Sequence, residues 1–329
     1  MPENSEESIS VNSVRHTFVA AVLAAGSLVA VGATPASAVS FPLCGARIVQ
    51  HFDLAKGQTP ESIVLSPDGS AHVAFAKARQ IAEISPTGVI RVLATLPAPA
   101  DGGVNTPALG FPLTVGIDRA PDGTLFFLYA TGTADLTGVW SLSPGGTPRR
   151  IAPLPATSLP NGLALDQRTR TLYVADSTGV VWRVPTTGAG AAAVWSSDGE
   201  LAPAGFLGAN GLKFRDGAVW VTNLDRGTLL RIPVRANGNA GPAQVTATGL
   251  TGVDDFAFTG RGNEIIAALH TANQVALVKP DGTHTVVLTG ADGLQGPTSI
   301  AVRGRTVHVP SAAYLTAKDP NLLQAHLGR

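Results

Sequence analysis

Cysteine, methionine, aromatic residues and charge are all scarce in this chain. One cysteine, Cys44, and one methionine occur in 329 residues. A single cysteine excludes an intrachain disulfide framework and any Cys-based zinc site, and Cys44 reads as a small buried residue. Charged residues make up 14%, against about a quarter in an average globular protein. The 23 basic and 23 acidic residues cancel, so the basic surface expected of a nucleic-acid binder is missing. Low charge with 44% hydrophobic residues argues against disorder. Helix-length amphipathic periodicity is scarce too, whereas Gly (37) and Pro (24) are plentiful. That combination suits many short strands joined by turns.

Phe18 to Thr34 is apolar and uncharged, and Pro35-Ala36-Ser37-Ala38 follows. The small residues Ala36 and Ala38 fit signal-peptidase cleavage near Ala38, and the run is short for a membrane span. Residues 1–38 are therefore expected to be a signal peptide and 39–329 a secreted domain. The segment before the run is unusual in carrying Glu3, Glu6 and Glu7 with Arg15 its only Lys or Arg. No later stretch reaches membrane-spanning length, so the mature chain is expected to be a soluble monomer without a membrane partner.

One plan recurs six times. A small or polar residue opens a strand, a Gly- or Asp-rich turn follows, and a second strand returns. The units begin at Pro60-Glu61-Ser62, Leu113-Thr114-Val115, Pro160-Asn161-Gly162, Ala209-Asn210-Gly211, Val253-Asp254-Asp255 and Pro297-Thr298-Ser299. Their second residues lie 44–53 apart, the length of one four-stranded propeller blade. A second hairpin follows each of the first five units, with turns such as Ser-Pro-Thr-Gly and Lys-Pro-Asp-Gly. The expected fold is all-β, a six-bladed β-propeller of four-stranded antiparallel blades over about residues 45–315. The sixth blade lacks an outer strand, which the N-terminal stretch 47–53 is expected to supply, closing the ring and removing its open edge.

If each unit leads into the innermost strand, its opening residue faces one mouth of the central channel. That ring reads Glu61, Thr114, Asn161, Asn210, Asp254 and Thr298, with Asp255 beside Asp254. Converging carboxylates in a narrow channel are costly without a counter-charge. An oxygen-only donor set suits Ca²⁺ rather than zinc. The expected ligands are Glu61, Asn161, Asn210, Asp254 and Asp255. Singly, Asn161-Gly162 and Asn210-Gly211 also read as ordinary turn dipeptides. Residues ending the second strands return to the same face. On that ground Tyr129 and Asn223 are expected to line the substrate space with Thr114 and Thr298, and His270 to stand near the metal. The long connection 97–111 is placed to cover the mouth. No nucleophile elbow, HExxH or phosphate-binding loop is present.

These openings resemble the six-bladed calcium propellers of the regucalcin, gluconolactonase, diisopropylfluorophosphatase and paraoxonase superfamily. The residues that carry the resemblance are Pro60-Glu61-Ser62, Pro160-Asn161-Gly162 with TLYVADS, Ala209-Asn210-Gly211-Leu212 and Val253-Asp254-Asp255. It covers nearly the whole chain after residue 38, and the order Glu, Asn, Asn, Asp is nearest the paraoxonase pattern. It implies a Ca²⁺-dependent hydrolase of a small lactone or ester, with Asp254, Asp255 or His270 as the base. Blade two departs from the pattern in offering no Asn. Two other readings are a non-catalytic propeller that binds a ligand or protein, and a lyase like strictosidine synthase.

Overall fold

The computed structural model describes residues 42–188 and 190–328; the expected signal peptide lies outside them. Six separate four-stranded sheets, each antiparallel, account for all the described strands. Three short 3₁₀ turns are the only helical elements described. Blades one to five each use four consecutive strands. Their innermost strands are Pro60–Leu65, Leu113–Arg119, Pro160–Asp166, Ala209–Arg215 and Val253–Phe258.

Blade six is assembled from both ends of the domain. Its strands run, from the channel outward, Ala301–Arg303, Thr306–Ser311, Asn321–Leu327 and Leu43–His51. The stretch after residue 315, expected to lie beyond the blades, thus supplies the third strand. It pairs antiparallel with Leu43–His51, from Leu43 opposite Leu327 to His51 opposite Asn321. Cys44, expected to be buried, lies on this outermost strand and is exposed.

Apolar side chains are not gathered into a single core. They form six clusters, each shared by two neighbouring blades. Leu113, Val115 and Leu128 of blade two, for example, pack on Leu163, Leu172 and Val174 of blade three. Between blades three and four, Tyr173 lies edge-on to Trp195 at 4.9 Å and stacks on Phe214 at 5.7 Å, a preferred range of ring separation. Burial therefore joins blade to blade and leaves the ring's centre to polar residues. Hydroxyl groups add ties there: Thr114 Oγ1 donates to the Phe75 carbonyl at 2.9 Å, Ser177 Oγ to Ala209 at 3.0 Å, and Thr298 Oγ1 to Pro60 at 2.8 Å.

The innermost strands of blades one to five each carry a bulge. The pairing register slips between Pro60 and Ser62, Val115 and Ile117, Pro160 and Leu163, Ala209 and Leu212, and Val253 and Phe256. A bulge leaves residues unpaired and re-aims their side chains. Asn161-Gly162 and Asn210-Gly211 are therefore bulge residues inside strands, not turns.

Candidate metal and substrate site

The bulges define two tiers at the channel mouth. Aligning the ladders puts Glu61, Val115, Asn161, Asn210, Asp254 and Thr298 in the first. The second holds Ser62, Gly116, Gly162, Gly211, Asp255 and Ser299. The first-tier residue of blade two, Val115, is packed into the apolar cluster between blades two and three, and Thr114 lies one residue out of register, its hydroxyl held by Phe75.

The glycines of the second tier answer to close approach. A Cβ on Gly116 would fall 2.3 Å from the Asn161 carbonyl oxygen, and one on Gly162 would fall 2.2 Å from that of Asn210. On Gly211 it would meet the Asp255 Cα and Oδ1, both at 2.5 Å. The Asp255 side chain thus occupies room that only glycine on the neighbouring blade leaves.

Glu61, Asn161, Asp254, Asp255 and Thr298 line one small enclosed space with Ser62, Gly211 and Lys213. Its volume of about 10 Å³ is close to the least that holds one water-sized body. Glu61, Asn210, Asp254 and Asp255 are all more than nine-tenths buried. Two oxygens here, Glu61 Oε2 and Asn210 Oδ1, have no hydrogen-bond partner. A buried acceptor left unpaired costs about 1–3 kcal/mol, more when charged.

The electrostatics follow from burial. Desolvation pushes the Glu61 carboxyl up to about 7, and the Asp255 charge adds to it, while the Tyr314 hydroxyl works against it. Asp254 is driven well above the carboxylate range, first by burial and then by Glu61 and Asp255, with Lys213 opposing. A divalent cation would reverse this, since nearby positive charge favours ionised carboxylates.

Lys213, not anticipated from the sequence, changes the role open to Asp255. Its ammonium donates to both Asp255 oxygens at 2.7 Å, and Ser299 Oγ donates to Asp255 Oδ2 at 2.6 Å. Asp255 therefore already has partners on both oxygens. Among the described residues no trio of His, Cys, Asp and Glu converges closely enough to hold a metal. The donors that fit a hard cation are two carboxylates, Glu61 and Asp254, with the carboxamides of Asn161 and Asn210.

Tyr129 and Asn223 end their strands as expected, but both side chains are committed elsewhere. Tyr129 is fully buried between blades one and two, and its hydroxyl donates to the Pro97 carbonyl at 2.8 Å. Asn223 Nδ2 donates to the Glu200 and Ala202 carbonyls, and its Oδ1 accepts from Arg226 N–H. The polar residue ending this strand staples the inter-blade connection. Asp176 does the same for Leu159 and Thr178. Thr298 lines the small space, but its hydroxyl is bound to Pro60.

His270 is half-buried beside Tyr314, edge-on at 5.9 Å, and its Nδ1 is unpaired. Burial holds the ring's proton affinity below the ordinary histidine value, against the backbone of Pro297 and Gly296. Tyr314, which the sequence did not single out, links the groups at the mouth. Its buried hydroxyl neighbours Glu61 and Thr59, and burial and Glu61 make it hard to ionise. Its ring lies 5.4 Å from the Lys77 ammonium, and Phe111, at the end of the long connection, lies 5.1 Å from the same ammonium.

Fold and channel together define a six-bladed propeller with an acidic, oxygen-lined mouth. Solved structures share this architecture. Regucalcin from Agrobacterium tumefaciens, described as a calcium-binding protein, superposes with a TM-score of 0.63 at 16% identity, over 88% of this chain and 95% of that one. A gluconolactonase-like protein gives 0.61 at 18% identity over 88% and 95%. A catalytically inactive virginiamycin B lyase from Staphylococcus aureus, solved with quinupristin, gives 0.58 at 18% over 83% and 82%. At these identities the likeness establishes the fold alone. No protein-family model and no curated protein sequence matches the chain.

Proposed function

We propose that the protein is a secreted, Ca²⁺-dependent hydrolase of a small lactone or ester. The observation that carries this reading is two buried carboxylates, Glu61 and Asp254, lining with Asn161 a space sized for one ion, with Glu61 Oε2 and the neighbouring blade's Asn210 Oδ1 left unpaired. When bound, Ca²⁺ supplies Lewis acidity toward a substrate carbonyl. The chain's own part is to hold Glu61, Asn161, Asn210 and Asp254 in fixed directions through the bulges and the blade-to-blade ties. The buried Tyr314 hydroxyl stands beside Glu61 and Thr59. Proton removal from an attacking water is assigned to Asp254. His270, neutral at pH 7, stands at the mouth as the second acceptor. Secretion rests on the apolar run 18–34 and the Ala36–Ala38 site, and a mature chain beginning at Val39 is expected in the culture medium.

Metal removal tests the reading. EDTA should lower the melting temperature and abolish turnover in a lactone and aryl-ester panel, and Ca²⁺ should restore both. Asp254→Ala should remove bound metal and turnover together. An unchanged melting curve with no bound cation in metal analysis rules the reading out. Blade two favours a second reading, a propeller that binds its ligand without turnover, since its first-tier residue Val115 is packed between the blades and supplies no donor. That protein would keep its ligand after chelation.

A further inference from the structure

Beyond the two carboxylates that the metal reading uses, the innermost strands carry buried Asp255, half-buried Asp118 and the cation Lys213. Asp118 of blade two and Lys213 of blade four occupy equivalent places, two residues along from Gly116 and Gly211. The side chain of Asp118 accepts from Leu165 N–H at 2.8 Å and from Arg119 N–H at 2.7 Å. Burial raises its proton affinity, and these two N–H groups and Lys213 oppose that. Lys213 therefore acts on Asp255 directly and on Asp254 and Asp118 through space. It is less than one-third exposed, and its ammonium also lies 5.7 Å from the Phe256 ring. Hydrogen bonds to both Asp255 oxygens fix the ammonium in place, and Ser299 holds the carboxylate from the other side.

The charges divide into two groups. Glu61 and Asp254 have no cationic side chain bonded to them, and together they match one divalent ion. Asp255 is neutralised by Lys213. From this geometry, and resting on the metal reading above, we infer that Lys213 is a built-in cation that takes the place of a second metal ion. It confines divalent metal to the Glu61–Asn161–Asn210–Asp254 ring, and Asp255 is not a ligand. An ammonium with three donors does at Asp255 what a second ion would otherwise do, and it stays when the ring ion leaves.

Metal stoichiometry tests this directly, by Ca²⁺ titration calorimetry and by metal analysis after dialysis. The full chain should bind one Ca²⁺. If it binds none, the metal reading itself is wrong. Given one ion in the unmodified chain, the double variant Lys213→Met/Asp255→Asn removes both partners and leaves no buried charge alone. It should still bind one Ca²⁺, with affinity within about 3-fold. A loss of 30-fold or more shows that Asp255 is a ligand and overturns the inference while sparing the metal reading. The single variant Lys213→Met should bind a second Ca²⁺ and gain more in melting temperature from added Ca²⁺ than the unmodified chain does. One ion and an unchanged Ca²⁺ response in a folded Lys213→Met also overturn it. Should that variant fold only poorly, the double variant decides alone.

Discussion

Replacing Gly162 with alanine would test how closely the inner strands are packed. Gly162 sits in the bulge of blade three at a φ outside the left-handed region, so alanine meets no backbone conformational penalty. The obstacle is the next blade. The added Cβ would lie 2.2 Å from the Asn210 carbonyl oxygen, 2.6 Å from Leu212 N and 2.9 Å from the Gly211 carbonyl carbon. All three are backbone atoms of one strand, which no rotamer change can relieve. Reaching even a 3.0 Å contact requires the two innermost strands to part by about 0.8 Å. Overpacking of this kind costs about 1–3 kcal/mol, occasionally more. Loss of unfolded-state freedom on replacing glycine returns about 0.4–1 kcal/mol. The net loss is about 1.3 kcal/mol, or about 2 °C in melting temperature for a domain of about 290 residues. Differential scanning calorimetry measures it, with Gly205→Ala as control, because nothing lies within 4 Å of a Cβ there. The strand that must move bears Asn210, so Ca²⁺ should also bind Gly162→Ala more weakly. A variant as stable as the parent would show that the blades do not approach this closely and would refute the close-approach account of the second-tier glycines.

Two further predictions concern residues away from the metal ring. Asp176 is fully buried and accepts from Leu159 N–H, Thr178 N–H and hydroxyl, and Trp182 Nε1. Asp176→Ala orphans these donors and should cost about 3 kcal/mol or more, measured by urea unfolding; a loss under 1 kcal/mol would contradict the stapling role. Burial, then Arg303, lowers His308 to about 4, so between pH 6.5 and 4 the unfolded chain binds a proton that the folded chain refuses. Stability should therefore fall as pH drops through that window, by at most about 3 kcal/mol from this residue. His308→Gln should flatten the slope, and equal slopes in the two proteins would exclude the effect.

The hairpin spacing made the six blades legible, because every turn is marked by Gly, Pro or Asp and the period exceeds forty residues. The ring residues were legible for the same reason, as equivalent places in a repeat. The ladder geometry was not. The repeat spacing points to Thr114 as the ring residue of blade two, yet the bulge after Val115 shifts it one residue out of register. Lys213 was hidden for a related reason. It sits inside the apolar-looking run Leu212-Lys213-Phe214, and only the bulge at Asn210-Gly211 sets which way it points. Tyr129 and Asn223 show that a residue's place in the repeat says nothing about which backbone groups its polar atoms have already found. Tyr314 lies in the one stretch that breaks the repeat, so no equivalence pointed to it.

The pairing of Leu43–His51 with Asn321–Leu327 has a consequence for how the molecule can be held. His51 lies at the end of the sheet that carries the mouth, and Leu43 lies beside Leu327 at the other end. Gly328 N–H donates to the Pro42 carbonyl, so the described residues 42 and 328 lie together at the end of blade six opposite the acidic ring. A tether joined beside either of these residues starts on the far side of the sheet from the mouth. The same pairing sets a limit on trimming. Cleavage near Ala38 spares the outer strand, whereas a cut some ten residues later would strip it from blade six and expose Asn321–Leu327 as a bare edge.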